Sequence, residues 1–129
     1  MTAVVDVSLF SYLDRPIFDV LLNGKDIGGT LARGFNGANS SMIGERITLG
    51  PQVISWRLSG PGGMPRNGET VRAKNTPTLS EIPKGVTWIA VHVYADDTVE
   101  ITFSKGAGSE LSSERGAKII EAWRAQHGK

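Results

Sequence analysis

The stretch VTWIAVHVYADDTVEITFS, residues 86–104, is the most informative part of this sequence for its fold class. Two runs rich in β-branched and aromatic residues flank Asp96-Asp97, which predicts an antiparallel hairpin. A two-residue turn at these aspartates gives the cross-strand pairs Tyr94 with Val99, His92 with Ile101 and Ala90 with Phe103. In that register, one face of the hairpin is apolar except for His92. The first strand is apolar on both faces and is predicted to be central, whereas the second suits an edge position.

Upstream of this hairpin, five further runs have the composition or the two-residue alternation of β-strands. They are Ala3–Leu13, Ile17–Leu22, Ile27–Ala32, Val53–Ser59 and Glu69–Lys74. Asn23-Gly24 follows the second run and suits the positive φ angles of a tight hairpin turn. Trp56 lies on the alternating face of its run that is predicted to be buried. Most of Gly24–Gly44 is rich in glycine, asparagine and serine, which predicts irregular structure.

Downstream of the hairpin, apolar residues recur at helical spacing over Glu110–Gln126. The candidate N-caps are Ser109, Ser112 and Ser113. Gly116 is expected to weaken the first half of the helix, and Gly128 is expected to terminate it. The side chains expected to dock against the sheet are Ile119, Ile120 and Trp123.

This order of elements predicts a mainly β fold, an antiparallel β-sandwich or open barrel with one C-terminal α-helix. The 129 residues fit a single domain, 1–129, with a β-rich body over about 3–104 and a helix over about 110–127. The charges nearly balance, with 14 Lys+Arg against 13 Asp+Glu and a net charge of +1. This balance argues against general nucleic-acid or anionic-membrane binding. No run approaches the roughly twenty apolar residues of a membrane span.

The motifs of common enzyme classes are absent from the sequence. The chain has no cysteine, which excludes disulfides, thiolate zinc sites and a cysteine nucleophile. No serine has the Gly-x-Ser-x-Gly frame, and no glycine-rich segment matches a phosphate loop or a dinucleotide fingerprint. His92 and His127 both lack a second histidine at metal-ligand spacing. We therefore predict no enzyme activity, no cofactor and no metal.

His92 leaves an alternative open. A histidine in an apolar row is most often a packed core residue. It could also be the general base of a small hydrolase, or part of a ligand-binding domain, provided that a nucleophile and an orienting acid lie nearby. A further alternative is a homo-oligomeric structural component that pairs through an edge strand.

The predicted partner-binding residues lie on two loops. Gly60–Gly68 is too long and too rich in glycine and proline for a tight turn. It is predicted to be a flexible mount that holds Met64 and Arg66, residue types enriched at protein interfaces, out into solvent. Asn67 on the same loop and Asp96 and Asp97 at the hairpin tip complete the set. The structural alternatives are a strand connection for the first loop and turn chemistry for the aspartates.

The segment Tyr12-Leu13-Asp14-Arg15-Pro16-Ile17, followed by Val20, Asn23-Gly24 and Gly28-Gly29, resembles the opening of a family of small bacterial proteins, many of them lipoproteins. The resemblance covers about Val5–Ser104, including Trp56 in the family's tryptophan strand and Trp88–Ser104 in its closing hairpin. Many members are encoded beside type VI secretion lipase effectors and are thought to be immunity proteins. The family commonly has adjacent cysteines before the tryptophan strand and a lipoprotein signal, and this sequence shows neither.

The resemblance implies a non-enzymatic protein-binding module that binds and neutralises a secreted type VI effector. Loops on a rigid sheet would then cover a site on that effector, with no nucleic acid involved. Met1–Phe10 has no basic region of the kind that opens a secretory signal, so the sequence as written predicts a cytoplasmic protein. The periplasm is the expected location if an upstream signal has been removed.

Overall fold

The computed structural model describes residues 1–30, 38–105 and 113–127. Within these ranges the chain forms ten strands and one helix. The strands are β1 (Thr2–Ser11), β2 (Ile17–Leu22), β3 (Lys25–Thr30), β4 (Ala38–Thr48), β5 (Gly50–Pro51), β6 (Ile54–Leu58), β7 (Thr70–Arg72), β8 (Thr78–Leu79), β9 (Trp88–Val93) and β10 (Val99–Ser104). The helix α1 spans Glu114–His127.

The strands form two four-stranded sheets and a small two-stranded one. The first sheet has the order β10-β9-β1-β4 and the second β3-β2-β6-β7, while β5 pairs with β8. All pairings are antiparallel except β1 with β9, which is parallel. The predicted fold class, a mainly β protein with one C-terminal helix, is confirmed, and the described strands do not close into a barrel. The central place of β9 and the edge place of β10 are also confirmed.

The main core forms from the alternating side chains of both four-stranded sheets. On β1, Val5, Val7 and Leu9 point into this core, while Phe10 belongs to a separate cluster beneath α1. Trp56 from β6 is 0% exposed, as its alternating pattern predicted. The first sheet is therefore buried on both faces, by the second sheet on one side and by α1 on part of the other.

The β9–β10 hairpin forms where the sequence predicts it, but the predicted register is wrong by one residue. The observed pairs include Val93 with Val99, His92 with Glu100 and Val91 with Ile101. The connection is the three-residue loop Ala95–Asp97, in which Asp97 has a φ of 66°. A three-residue loop of this kind combines a type I turn with a left-handed residue. Because a shift by one residue changes every cross-strand neighbour, His92 lies opposite Glu100 of β10 and not opposite Ile101.

The β2–β3 hairpin turns at Asn23-Gly24 as predicted, with φ angles of 51° and 83°. β2 has the predicted bounds, and β3 begins two residues earlier than expected. The expectation of irregular structure over most of Gly24–Gly44 is wrong from Ala38 onward, where β4 pairs with β1 along its length. Pairing with an apolar strand overrides the weak β-propensity of its polar residues. Residues 31–37 lie outside the described part of the chain.

Helix α1 begins after Ser113, whose Oγ accepts the Gly116 N–H at 2.8 Å. Ser113 is thus the N-cap among the predicted serines, while Ser109, Ser112 and Gly128 lie outside the described residues. Ile119 and Ile120 pack against the cluster on the first sheet, and Trp123 is half-buried.

The role of Gly116 differs from the prediction that it only weakens the helix. A Cβ at this position would overlap the Tyr12 hydroxyl and lie 2.5 Å from Tyr12 Cζ and 2.8 Å from Ser113 Oγ. Gly116 therefore permits the closest approach between α1 and the first sheet.

We expect Gly116→Ala to destabilise the fold by about 1–3 kcal/mol, because the added methyl overpacks the contact with Tyr12. Helix propensity alone predicts the opposite, a gain of about 1 kcal/mol. Urea unfolding measures the difference. Gly62→Ala is the matched control, since nothing lies within 4 Å of its Cβ position. A more stable Gly116→Ala protein would show that α1 does not pack this closely.

Candidate functional site

Three segments from distant parts of the sequence meet at one end of the molecule. They are Leu13–Pro16 between β1 and β2, Gly60–Gly68 between β6 and β7, and Ala95–Asp97 at the hairpin tip, and we call this surface the loop end. A cavity of about 290 Å³ is lined by Leu13, Asp14, Arg15, Leu58, Arg66, Ala95 and Asp97. A second, of about 230 Å³, is lined by Asp14, Arg15, Pro16, Pro61 and Met64. The two cavities share Asp14 and Arg15, so they adjoin.

Backbone hydrogen bonds hold Gly60–Gly68 in one conformation. The Met64 N–H donates to Pro61 O at 3.0 Å, and the Gly68 N–H donates to Leu58 O at 2.8 Å. Met64 is half-buried and its Sδ lies against Gly60, where any Cβ would clash with it. The sequence predicted an exposed Met64. Met64 is instead half-buried, because its side chain packs on the loop's own backbone.

Arg15 ties this loop to the β1–β2 turn. Its Nε donates to Ser59 O at 2.8 Å and its Nη2 donates to Asn67 Oδ1 at 2.9 Å. Asn67 in turn donates through Nδ2 to Pro61 O at 2.9 Å. The planar guanidinium group suits this double contact, since its donors have a fixed geometry. Asn67, predicted to bind a partner, therefore uses its side chain to hold the loop.

Arg66 lies on the rim of the larger cavity with a φ of 67°. Its guanidinium makes two contacts with the Glu69 carboxylate, at 2.6 and 3.0 Å. Both side chains are about half exposed. The hydrogen bond from Arg66 holds the pKa of the Glu69 carboxyl below its usual range. The charge of Arg66 is thus paired with that of Glu69 at the surface.

The two neighbouring aspartates, which were predicted to act together, have different contacts in the structure. Asp96 accepts hydrogen bonds from the Thr98 hydroxyl and N–H and forms an ion pair with Arg115 of α1 at 3.2 Å. The Thr98 hydrogen bonds and, less strongly, Arg115 lower the pKa of Asp96. Asp97 instead lines the cavity beside Arg66. Turn chemistry thus accounts for Asp96, and only Asp97 belongs to the loop end's cavities.

Of the five predicted residues, Met64, Arg66 and Asp97 line the cavities, Asn67 supports them, and Asp96 faces the helix. Sequence reasoning missed the contribution of Asp14 and Arg15 to this surface. Arg15 also has the structural role described above, through its hydrogen bonds to Ser59 O and Asn67 Oδ1. The only signal in the sequence was the position of Asp14 and Arg15 before Pro16 at the bend.

His92 does not lie at the loop end. It is 0% exposed, with Nδ1 2.9 Å from the Tyr12 hydroxyl and Nε2 2.9 Å from Thr102 Oγ1. Its ring stacks on Phe10, with centroids 5.1 Å apart. Burial raises the pKa of Tyr12 to about 12 and also raises that of Tyr94, whose hydroxyl lies 2.5 Å from Glu100 Oε1. Hydroxyls and a carboxylate surround His92, but its imidazole has no access to solvent.

The described residues also bear on metal binding and on membrane insertion. Histidines and carboxylates in these ranges do not gather in any group of three or more that could hold a metal ion. None of the helical segments described has the length and apolar character needed to cross a membrane.

Comparison with known proteins gives no relative for this chain. No family model, no curated protein and no solved structure matches it.

We expect Arg15→Lys to destabilise the fold by about 1 kcal/mol. The lysine ammonium group lacks the two separate donors with which the arginine guanidinium bonds to Ser59 O and Asn67 Oδ1. Amides of the Gly60–Gly68 loop should then exchange faster, as followed by hydrogen–deuterium exchange. Arg46→Lys is the control, since Arg46 makes one long side-chain hydrogen bond, to Thr2 Oγ1 at 3.4 Å. Equal effects of the two substitutions would contradict the proposed role of Arg15 in holding the two loops together.

Proposed function

We propose that this protein is a non-enzymatic binding domain that holds a protein partner at its loop end. The observation that carries the proposal is the pair of hydrogen bonds that Arg15 donates to Ser59 O and Asn67 Oδ1. It joins two loops distant in sequence into one surface with adjoining cavities.

Rigidity favours this use of the surface. Binding is weakened by the free energy needed to order loops and side chains at an interface. Here the loop is already ordered by the Asn67 contacts to Pro61 O and by backbone hydrogen bonds at Met64 and Gly68. A partner would therefore meet a preformed surface.

The composition of the loop end also suits a protein partner. Met64, Pro16 and Pro61 supply apolar contact area around the smaller cavity. Arg66 and Asp97 supply opposite charges at the larger one. An apolar centre with flanking charges and with Met and Arg enriched is typical of protein interfaces, which bury about 1,600 Å² in total.

The family resemblance described above suggests the nature of the partner. On this resemblance, the partner is a secreted bacterial effector, and this chain acts as the immunity protein that neutralises it. Inhibition would follow from covering the effector's active site with the loop end, without any reaction performed by this chain.

The alternative in which His92 acts as a general base receives no support from its surroundings. The imidazole is 0% exposed, and both ring nitrogens are within hydrogen-bonding distance of hydroxyls of the first sheet. A general base must come within hydrogen-bonding reach of its substrate. In this conformation His92 cannot do so.

The proposal is tested by affinity capture from a lysate of the bacterium that encodes the chain, followed by mass spectrometry. The wild type should retain one protein at a stoichiometric ratio. The triple variant Met64→Ala/Arg66→Asn/Asp97→Asn should retain at least about ten-fold less, as expected when central interface residues are truncated. Asparagine is chosen because it tolerates the positive φ of positions 66 and 97.

The matched control is Lys118→Ala/Arg124→Ala, which removes two exposed cations from the helix. This control should retain the partner like the wild type. Equal retention by the triple variant would place binding elsewhere on the molecule. If the captured protein is a lipase, its hydrolytic activity should fall on addition of the wild type but not of the triple variant. Unchanged activity would reject the immunity role while leaving the binding role intact.

A further inference from the structure

Polar and ring contacts fix the N-terminal end of helix α1 to the first sheet. Ser113 Oγ lies 2.7 Å from the Tyr94 hydroxyl. The Arg115 guanidinium stacks 3.9 Å from the centroid of the Tyr94 ring and pairs with Asp96. Further along, Ile119 and Ile120 are only half-buried. Over residues 121–126 every side chain is exposed except half-buried Trp123.

Beneath α1 lies a row of four stacked rings, which we call the aromatic face: Phe10, His92, Tyr12 and Tyr94. Neighbouring rings are 5.1 to 5.9 Å apart between centroids. Each is at most 8% exposed. The parallel pairing of β1 with β9 produces the row, because it sets Phe10 beside His92.

The polar groups of the aromatic face are largely satisfied within the first sheet. Tyr12 bonds to His92, His92 to Thr102, and Tyr94 to Glu100, at 2.9, 2.9 and 2.5 Å. The Ser113 hydroxyl joins this face to the helix segment, since it lies 2.7 Å from the Tyr94 hydroxyl and also hydrogen-bonds to Tyr12. Because these partners would stay in place, removing α1 would leave few buried polar groups unpaired.

The main core has a different character. Trp56, Ile54 and Leu9 are fully buried between the two sheets, and separating those sheets would expose them together. Regions with few buried apolar contacts open locally at lower free energy than the core. The seam under α1 is therefore the weaker of the two.

We propose that α1 is a displaceable cover, which lifts from the first sheet as a unit while both sheets stay folded. Lifting uncovers the aromatic face, including His92 and the adjoining Glu100 carboxylate. The closed state is held by the Arg115 contacts to Tyr94 and Asp96 and by the close fit of Gly116 on Tyr12.

The absence of native cysteine allows a matched pair of thiol probes. Ala90 and Val91 are neighbours on β9, and both are 0% exposed, but Ala90 lies in the cluster under α1 and Val91 in the main core. In Ala90→Cys and Val91→Cys, a thiol reagent under native conditions reports opening on each side of the sheet. We expect the thiol at position 90 to react at least about ten-fold faster than that at position 91, since only the latter needs the sheets to separate.

Arg115→Ala, added to each probe, tests the cause of the opening. It should speed labelling at position 90 about five-fold, because an exposed ion pair and a cation–π contact are lost together. Labelling at position 91 should not change by the same factor. Equal rates at the two positions, or an equal response to Arg115→Ala, would overturn the proposal.

A second measurement keeps the test valid if Ala90→Cys does not fold. Hydrogen exchange of the wild type at low urea concentrations should give the amides of residues 117–124 one common opening free energy with little dependence on urea. The β9 amides should show the strong urea dependence of global unfolding. If the helix amides follow the β9 amides at every urea concentration, α1 does not open separately.

Discussion

The parallel pairing of β1 with β9 is the contact on which the rest of the structure depends. Because side chains alternate along each strand, one register sets both faces of the sheet at once. On one side it places Val7 beside Ile89 in the main core, and on the other it places Phe10 beside His92. A slip by one residue would exchange the apolar core with the hydrogen-bonded aromatic face. Both faces therefore specify the same register.

Strand positions could be predicted because they depend on local alternation, as in Ile17–Leu22 and around Trp56. The hairpin register could not, because it depended on Asp97 adopting a left-handed φ, which two adjacent aspartates do not reveal. β4 was missed for a related reason. Its polar residues have little strand character of their own, and it forms by pairing with β1, a contact distant in sequence.

The candidate site, too, could be predicted from the sequence only in part. Glycine and proline predicted the loop at Gly60–Gly68. The residue types of Met64 and Arg66 made them candidate interface residues, and their role stays a prediction. The sequence could not show that the Asn67 side chain would accept a hydrogen bond from Arg15. Nor could it show that Asp96 would form an ion pair with Arg115 of the helix. Both contacts join segments that come together only once the sheets are paired. Local chemistry thus identified the segment, and tertiary contacts decided which of its side chains remain available.

The hairpin tip physically links the proposed binding surface at the loop end to the proposed movement of α1. Asp96 is bonded to Arg115 at the start of α1, while the next residue, Asp97, lines the loop-end cavity and accepts the Lys74 N–H through its carbonyl. Lifting α1 would remove the Arg115 contact and leave Asp96 with its bonds to Thr98 alone. The tip would then keep its turn but lose its attachment on the helix side. A partner that fixes Asp97 at the loop end would hold the tip in place, and it would thereby favour the docked position of α1, since ligands stabilise the state that they bind.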